Sequence, residues 1–187
     1  MRIIAGKNRS LPLKTIPGRE TRPTTDRIKE TLFNIIQDEI PGSYVLDLFA
    51  GSGQIGLEAI SRGAAYAVFA EQDKKACACI EENIRFTKSD RETKLYCADA
   101  VSAVRRMEGI YRFDVVFMDP PYGQGLEAEA LSALLAAALL KEDALVIVEC
   151  PLNADLFETE VPGYEVVRIK RYKTNEHVFL RPENVQK

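Results

Sequence analysis

The chain has 187 residues, of which 46% are hydrophobic and 28% charged, and its net charge is −3. Those values are those of a soluble globular protein long enough for one proper core. They exclude a membrane protein, because no apolar run approaches the roughly 20 residues of a spanning helix, and the opening Met1-Arg2-Ile3-Ile4-Ala5-Gly6-Lys7 lacks a signal-peptide core. Cys77, Cys79, Cys97 and Cys150 form no Cys-x-x-Cys pair, and the single histidine, His177, is remote from them. They read as reduced thiols of a cytoplasmic protein, and no metal site is expected. The charge is uneven. Residues 1–30 carry eight Lys/Arg against three acids, residues 164–187 carry six against three, and the stretch between is strongly acidic. Two basic ends on an acidic body suggest a patch for a polyanion if the ends meet in space; otherwise they are solvated tails.

In chain order, residues 1–15 read as a short hairpin: Arg2–Ala5, a turn near Gly6-Lys7-Asn8, and Leu11–Lys14, with Pro12 confining the second strand to an edge. Residues 16–24 are a polar loop. A helix starts near Thr25, capped by Thr24 or Thr25, with Asp26 in its first turn. Ile28, Leu32, Ile35 and Ile36 give it one apolar face, and Pro41-Gly42 ends it. Arg22-Pro23-Thr24-Thr25-Asp26-Arg27 can form a ligand-contacting lid at this helix N-terminus or simply cap a packed helix.

Tyr44–Phe49 is an apolar strand that leads into Ala50-Gly51-Ser52-Gly53, and a helix runs from Ile55 to Ser61. The glycines let a ligand approach the main chain at a helix N-terminus. Gly51, Gly53 and Gly56 also satisfy the spacing of dinucleotide folds, a weak signal by itself. Asp47 argues against that reading, because a carboxylate at a strand end repels a pyrophosphate and suits an ammonium or sulfonium. Tyr66–Ala70 is a second strand, and Glu71 at its end can take both hydroxyls of a ribose or sit exposed in solvent. Residues 74–88 form a helix with Ala76, Cys77, Ile80 and Ile84 inside. Leu95–Ala98 is a third strand, after which Asp99 either meets an adenine amine or caps the helix of residues 100–108.

Phe113–Met118 is the fourth strand, and Asp119-Pro120-Pro121-Tyr122 ends it. Two prolines remove two backbone donors and fix two φ angles. They hold a carboxylate, a carbonyl outside any ladder and an aromatic ring in a small space, which suits a planar heterocycle with an exocyclic amine. A strand-ending turn with a surface tyrosine is the plainer alternative. A helix over roughly 126–140 buries Leu131, Leu134, Leu135 and Leu139. Ala144–Cys150 is a fifth strand, and Tyr164–Lys170 and His177–Leu180 form an antiparallel hairpin at one sheet edge. His177 is expected to be structural. Strands alternating with helices give a doubly wound, mostly parallel α/β sheet. Asp47, Glu71, Asp99 and Asp119 all fall at carboxyl ends of strands, where such sheets bind ligands.

Asp47–Gly53, Glu71 and Asp119–Tyr122 together resemble S-adenosylmethionine-dependent methyltransferases that modify exocyclic amines. More narrowly, Arg2–Lys7, Arg22–Arg27 with Glu30-Thr31-Leu32-Phe33-Asn34, Gly56–Ala59 and Ser61–Ala64 resemble the bacterial RsmD-type guanine-N2 methyltransferases of small-subunit (16S) ribosomal RNA. The resemblance covers essentially the whole chain; Tyr172-Lys173 departs from a Tyr-Gly pair frequent in that family. It implies a Rossmann-like class I methyltransferase, a single domain with an N-terminal hairpin/helix extension over residues 1–40 and a cofactor-binding core over 41–187. It implies S-adenosylmethionine contacts at Asp47, Phe49, Ala50, Gly51, Ser52, Gly53, Glu71 and Asp99. Asp119, Pro120 and Tyr122 are the implied catalytic group. Pro121, Arg22, Thr24, Thr25, Arg27, Arg9 and Lys7 are implied to face the RNA, in an assembling or assembled small subunit, with no metal and no membrane. A DNA adenine or cytosine amine methyltransferase shares the tetrapeptide but needs a recognition insert for which 187 residues leave little room. A protein-glutamine methyltransferase more often has Asn at the Asp119 position. A non-catalytic RNA-binding module would be expected to lose Asp119 or the glycines, and an NAD-dependent oxidoreductase would bind nicotinamide cofactor.

Overall fold

The computed structural model describes residues 1–16, 26–152 and 161–183. Arg22, Thr24 and Thr25, with the proposed helix cap, lie outside these. Seven strands form one sheet in the order β3-β2-β1-β4-β5-β7-β6. β1 (Tyr44–Leu48), β2 (Tyr66–Glu71), β3 (Thr93–Cys97), β4 (Phe113–Met118) and β5 (Leu140–Pro151) run parallel. β6 (Tyr164–Arg171) and β7 (Asn175–Pro182) are the antiparallel hairpin, and β7 lies between β5 and β6. The central strands are apolar on both faces because helices cover both. Leu46, Leu48, Val116, Met118, Val146 and Val148 pack under α4 (Ala100–Met107) and α5 (Leu126–Ala136). Val45, Phe69, Val115, Phe117 and Ile147 pack under α1 (Asp26–Ile35), α2 (Gln54–Ser61) and α3 (Lys74–Thr87). The chain is thus a three-layer, Rossmann-like α/β fold.

The N-terminal segment is the expected hairpin, reduced to one bridge between Arg2 and Pro12. Ile3 N–H donates to Leu11 O at 3.0 Å and Leu13 N–H to Met1 O at 3.0 Å. Ile3 and Leu13 are buried against the α1–α3 layer, so the extension is part of that core.

Three local expectations differ from what the fold contains. α5 stops at Ala136 rather than near residue 140, and β5 starts at Leu140 rather than Ala144. Ala138 adopts φ 50, and Leu139 N–H closes back on Leu134 O at 3.2 Å. That is a helix-ending motif whose left-handed position usually holds glycine; an alanine there hides it, although Leu139 is buried as expected. Secondly, α1 turns Lys29, Leu32 and Phe33 inward, with Ile36 beyond its end, while Ile28 and Ile35 are only half-buried. Thirdly, Lys29, counted with the basic N-terminal end, is fully buried. Its ammonium donates to Arg2 O at 2.5 Å and lies 3.4 Å from Glu58. Glu58, also fully buried, accepts from Ile4 N–H at 2.8 Å, Ala5 N–H at 3.0 Å and Arg62 Nε at 2.8 Å. This network fastens the N-terminal hairpin to α2.

Candidate functional site

Five strands deliver acids to one end of the sheet. Asp47, near the end of β1, is 2% exposed, and its carboxylate accepts the Gly56 N–H at 2.9 Å. It therefore does for α2 what a helix cap does, from a neighbouring strand, because Gly53 at the helix start offers no side chain. Burial, then the charges of Glu71 and Asp119, outweigh that hydrogen bond and push Asp47 up to about 7. Between β1 and α2 the backbone is left-handed at Phe49 (φ 68), Gly51 (φ 56) and Gly53 (φ 76). For a phenylalanine that conformation costs on the order of 1–3 kcal/mol, so the turn is held by its surroundings. Gly56 has a packing reason: a Cβ there would meet the Phe69 ring at 2.3 Å.

Glu71, at the end of β2, supplies one of those restraints. Its Oε2 accepts the Gly51 N–H at 2.8 Å, and its Oε1 the Asp73 N–H at 2.9 Å. Asp99 caps α4, accepting the Ser102 N–H at 2.9 Å. That bond holds its carboxyl below the usual range. Of the two readings left open for Asp99, the cap is thus present, and Asp99 also lines the cavity described next.

The cavity, of about 960 Å³, lies over these strand ends. Phe49, Ala50, Gly51 and Ser52 line one side, and Asp119, Pro120, Pro121 and Tyr122 another. Tyr122 is 40% exposed. Burial and then the charge of Glu149 push Asp119 up to about 7. Asp119 as a residue is nonetheless exposed, so water screens part of that effect; the rise is fullest once a ligand displaces the water. Among the described lining residues six are acidic (Asp47, Glu71, Asp99, Asp119, Glu129, Glu149) and none is Lys, Arg or His. Gln54 also lines the cavity, and its Oε1 is buried without a hydrogen-bond partner. An orphaned acceptor among carboxylates fits a ligand that brings donors and positive charge. S-adenosylmethionine, with its ammonium, sulfonium, ribose diol and adenine amine, is such a ligand.

Three residues of this region escape the sequence reading. Gln54 gives no sequence signal. Asn83, 1% exposed in α3, donates to Ser52 O at 3.0 Å and Lys14 O at 3.1 Å and accepts Lys14 N–H at 2.8 Å. It ties the glycine turn to the N-terminal segment. Glu149 interrupts the apolar run of β5 at its carboxyl end, the pattern that marks Asp47 and Asp119, and could have been found in the same way.

The proposed RNA-facing cations are less free than their charges suggest. Lys7 reaches Glu92 at 2.6 Å, beside the β3 edge, and Arg2 pairs with Asp26 at 2.9 Å. Arg9 and Arg27 are exposed. Arg168 and Lys170 lie on β6, six strands from β3, roughly 29 Å away at ordinary strand spacing. Lys7 and the C-terminal hairpin therefore do not form one patch.

Five parallel strands with an antiparallel β7 inserted between β5 and β6, a glycine turn after β1 and an acid at the end of β2 define a Rossmann-like fold with its ligand site at the carboxyl ends of the strands. A family model described as Conserved hypothetical protein 95 matches residues 1–181. The chain is 37% identical over 161 residues to Ribosomal RNA small subunit methyltransferase D of Haemophilus influenzae, covering 86% of this chain and 83% of that protein. It is 35% identical over 180 residues to the protein of the same name from Escherichia coli, covering 90% and 88%. The solved structure of yhhF from Escherichia coli superposes with a TM-score of 0.86 at 34% identity, covering 98% of each chain. The chain belongs to this family, the RsmD-type methyltransferases.

Proposed function

We propose that this chain methylates the exocyclic N2 amine of a guanine in 16S ribosomal RNA, acting in the cytoplasm as a single methyltransferase domain on the assembling or assembled small subunit. Bound S-adenosylmethionine supplies an electrophilic methyl group. Asp47, Gln54 and the turn from Phe49 to Gly53 bind its charged methionine end, Glu71 faces its ribose and Asp99 its adenine. The flipped guanine stacks on Tyr122. Its amine lone pair is delocalised into the ring and is a poor nucleophile. Asp119 and the Pro120 carbonyl accept the two amine hydrogens, which favours a pyramidal nitrogen with an available lone pair. Orientation and electrostatic stabilisation supply most of the acceleration. Pro121, Arg9, Arg27 and Lys7, with Arg22, Thr24 and Thr25, lie toward the RNA, where guanidinium groups bind phosphate.

The observation that supports this reading most is a cavity whose described lining holds six acids and no Lys, Arg or His, together with the glycine turn and Asp119–Tyr122. The test is transfer of labelled methyl from S-adenosylmethionine to small subunits from cells lacking the protein, with naked RNA alongside. N2-methylguanosine should appear, and Asp119→Ala should lower the rate on the order of 100- to 1000-fold while cofactor binding persists. Label in another nucleoside, or none on any RNA, overturns the reading.

A further inference from the structure

The proposed reaction uses Asp119 and leaves the buried carboxyl beside it without a role. Val148 pairs with Met118 across the parallel strands, so Glu149 and Asp119 stand side by side where β5 and β4 reach the cavity. Glu149 is 7% exposed and is held from β7. Asn175 Nδ2 donates to its Oε1 at 2.6 Å, and His177 Nε2 lies 3.1 Å from its Oε2. His177 is fully buried, with its Nδ1 3.3 Å from the Tyr172 hydroxyl and its ring edge-on to Phe117. With the hydrogen on Nε2, His177 donates to Glu149 and accepts from Tyr172, and both ring nitrogens are satisfied. In that tautomer each Glu149 oxygen has a partner from β7. The expected structural His177 is therefore the back support of a carboxylate that faces the candidate catalytic one.

We propose that Glu149, fixed by Asn175 and His177, is the positioning residue for Asp119, and that the two carboxyls act as one acid–base pair receiving the proton that leaves the methylated amine. This rests on Asp119 meeting the amine as described above. The N2–CH3 bond forms as the S–CH3 bond breaks, and the sulfonium becomes a neutral thioether. The nitrogen then carries two hydrogens, the methyl group and a positive charge. One proton passes to an Asp119 oxygen, leaving the N–H electron pair on nitrogen, and goes on to water when product departs. A carboxylate of ordinary acidity holds such a proton poorly near neutrality, and a fixed negative neighbour strengthens its hold. Two acids act on Asp119 from neighbouring strands, Glu149 from β5 and Asp47 from β1 with Glu71 of β2 behind it; Glu129 of α5 and Met1 line the same cavity, and His177 and Tyr172 connect to Asp119 through Glu149.

The test is a carboxyl-carbon NMR titration of the free protein, with Asp119 assigned through Asp119→Asn. The Asp119 midpoint should lie above the ordinary aspartate range, fall by at least about half a pH unit in Glu149→Gln, and stay raised in Glu149→Asp, which keeps the charge. The amide introduced by Glu149→Gln can be accommodated, because His177 can move its hydrogen to Nδ1 and accept from the new NH2 group; circular dichroism melts verify the fold. In single-turnover methyl transfer, the acid-side fall in rate should move to lower pH by the same amount in Glu149→Gln. An unmoved midpoint, or a rate loss equal at every pH, overturns the proposal. The titration needs no RNA, so a failure of the guanine reading would show separately, as an absent product with the midpoint still shifted.

Discussion

Two clusters of buried charge lie on the α1–α3 side of the sheet and differ in composition. Around Glu58 the charges are matched: Lys29 and Arg62 bring cations, and Ile4 and Ala5 bring backbone donors. Around Asp47 they are not: Glu71 and Asp119 act on it, Glu149 acts in turn on Asp119, and no Lys, Arg or His is among the described residues lining the cavity. A buried ion network with its counter-charges inside is complete and holds structure. An acidic cluster without them is complete only when a ligand brings the cation. The first cluster should thus respond to mutation as stability and the second as affinity, rate and pH dependence.

The largest effect should come from breaking the matched cluster. Glu58→Ala leaves Lys29, already pushed toward neutrality by burial, without its partner and three donors without an acceptor. Urea unfolding should show a loss of about 3–5 kcal/mol, whereas a surface-like loss below about 1 kcal/mol would put the two clusters on the same footing. A smaller, opposite effect is expected from the unmatched cluster. Asp47 has a folded-state pKa raised from 3.8 to about 7, so the native state binds more protons than the unfolded chain between those values. Stability of the free protein should therefore fall as pH rises through that window. Asp47→Asn, which still accepts from Gly56, should be more stable than the parent at about pH 8 by roughly 1–3 kcal/mol. The advantage should vanish below about pH 4, and the same substitution should weaken S-adenosylmethionine binding on calorimetry. A stability difference independent of pH would mean that Asp47 carries no unbalanced charge. The smallest effect tests a charge outside both clusters. Lys7→Ala removes an exposed pair with Glu92, so melting should barely change. If Lys7 meets a phosphate, the slope of log RNA affinity against log salt should lessen by about 1; an unchanged slope would exclude that contact.

The clusters also differ in how legible they are in the sequence. Asp47, Glu71, Asp99 and Asp119 are visible because each interrupts or ends an apolar strand run, and the structure brings all four to one cavity. The mostly parallel sheet is legible from alternating strand and helix signals, whereas the strand order is not, because doubly wound sheets occur in more than one order. Lys29 is hidden, because a lysine on a helix with an apolar stripe reads as solvated; only the partner on α2, 29 residues later, makes its burial tolerable. Gln54 is hidden because its significance is a missing partner, which exists only in three dimensions. The end of α5 is obscured for a backbone reason: Ala138 takes the left-handed position that glycine normally announces.

The position of β7 has a consequence for the order in which the protein can be made. Among the described strands it is the last in sequence, yet it is inserted beside β5 rather than added at the rim. It carries Asn175 and His177, which grip Glu149. During synthesis the glycine turn, Asp47 and Asp119 emerge well before that grip exists. The support proposed for Asp119 is therefore completed only after residues 175–177 have left the exit tunnel, among the last steps by which the nascent chain builds this wall.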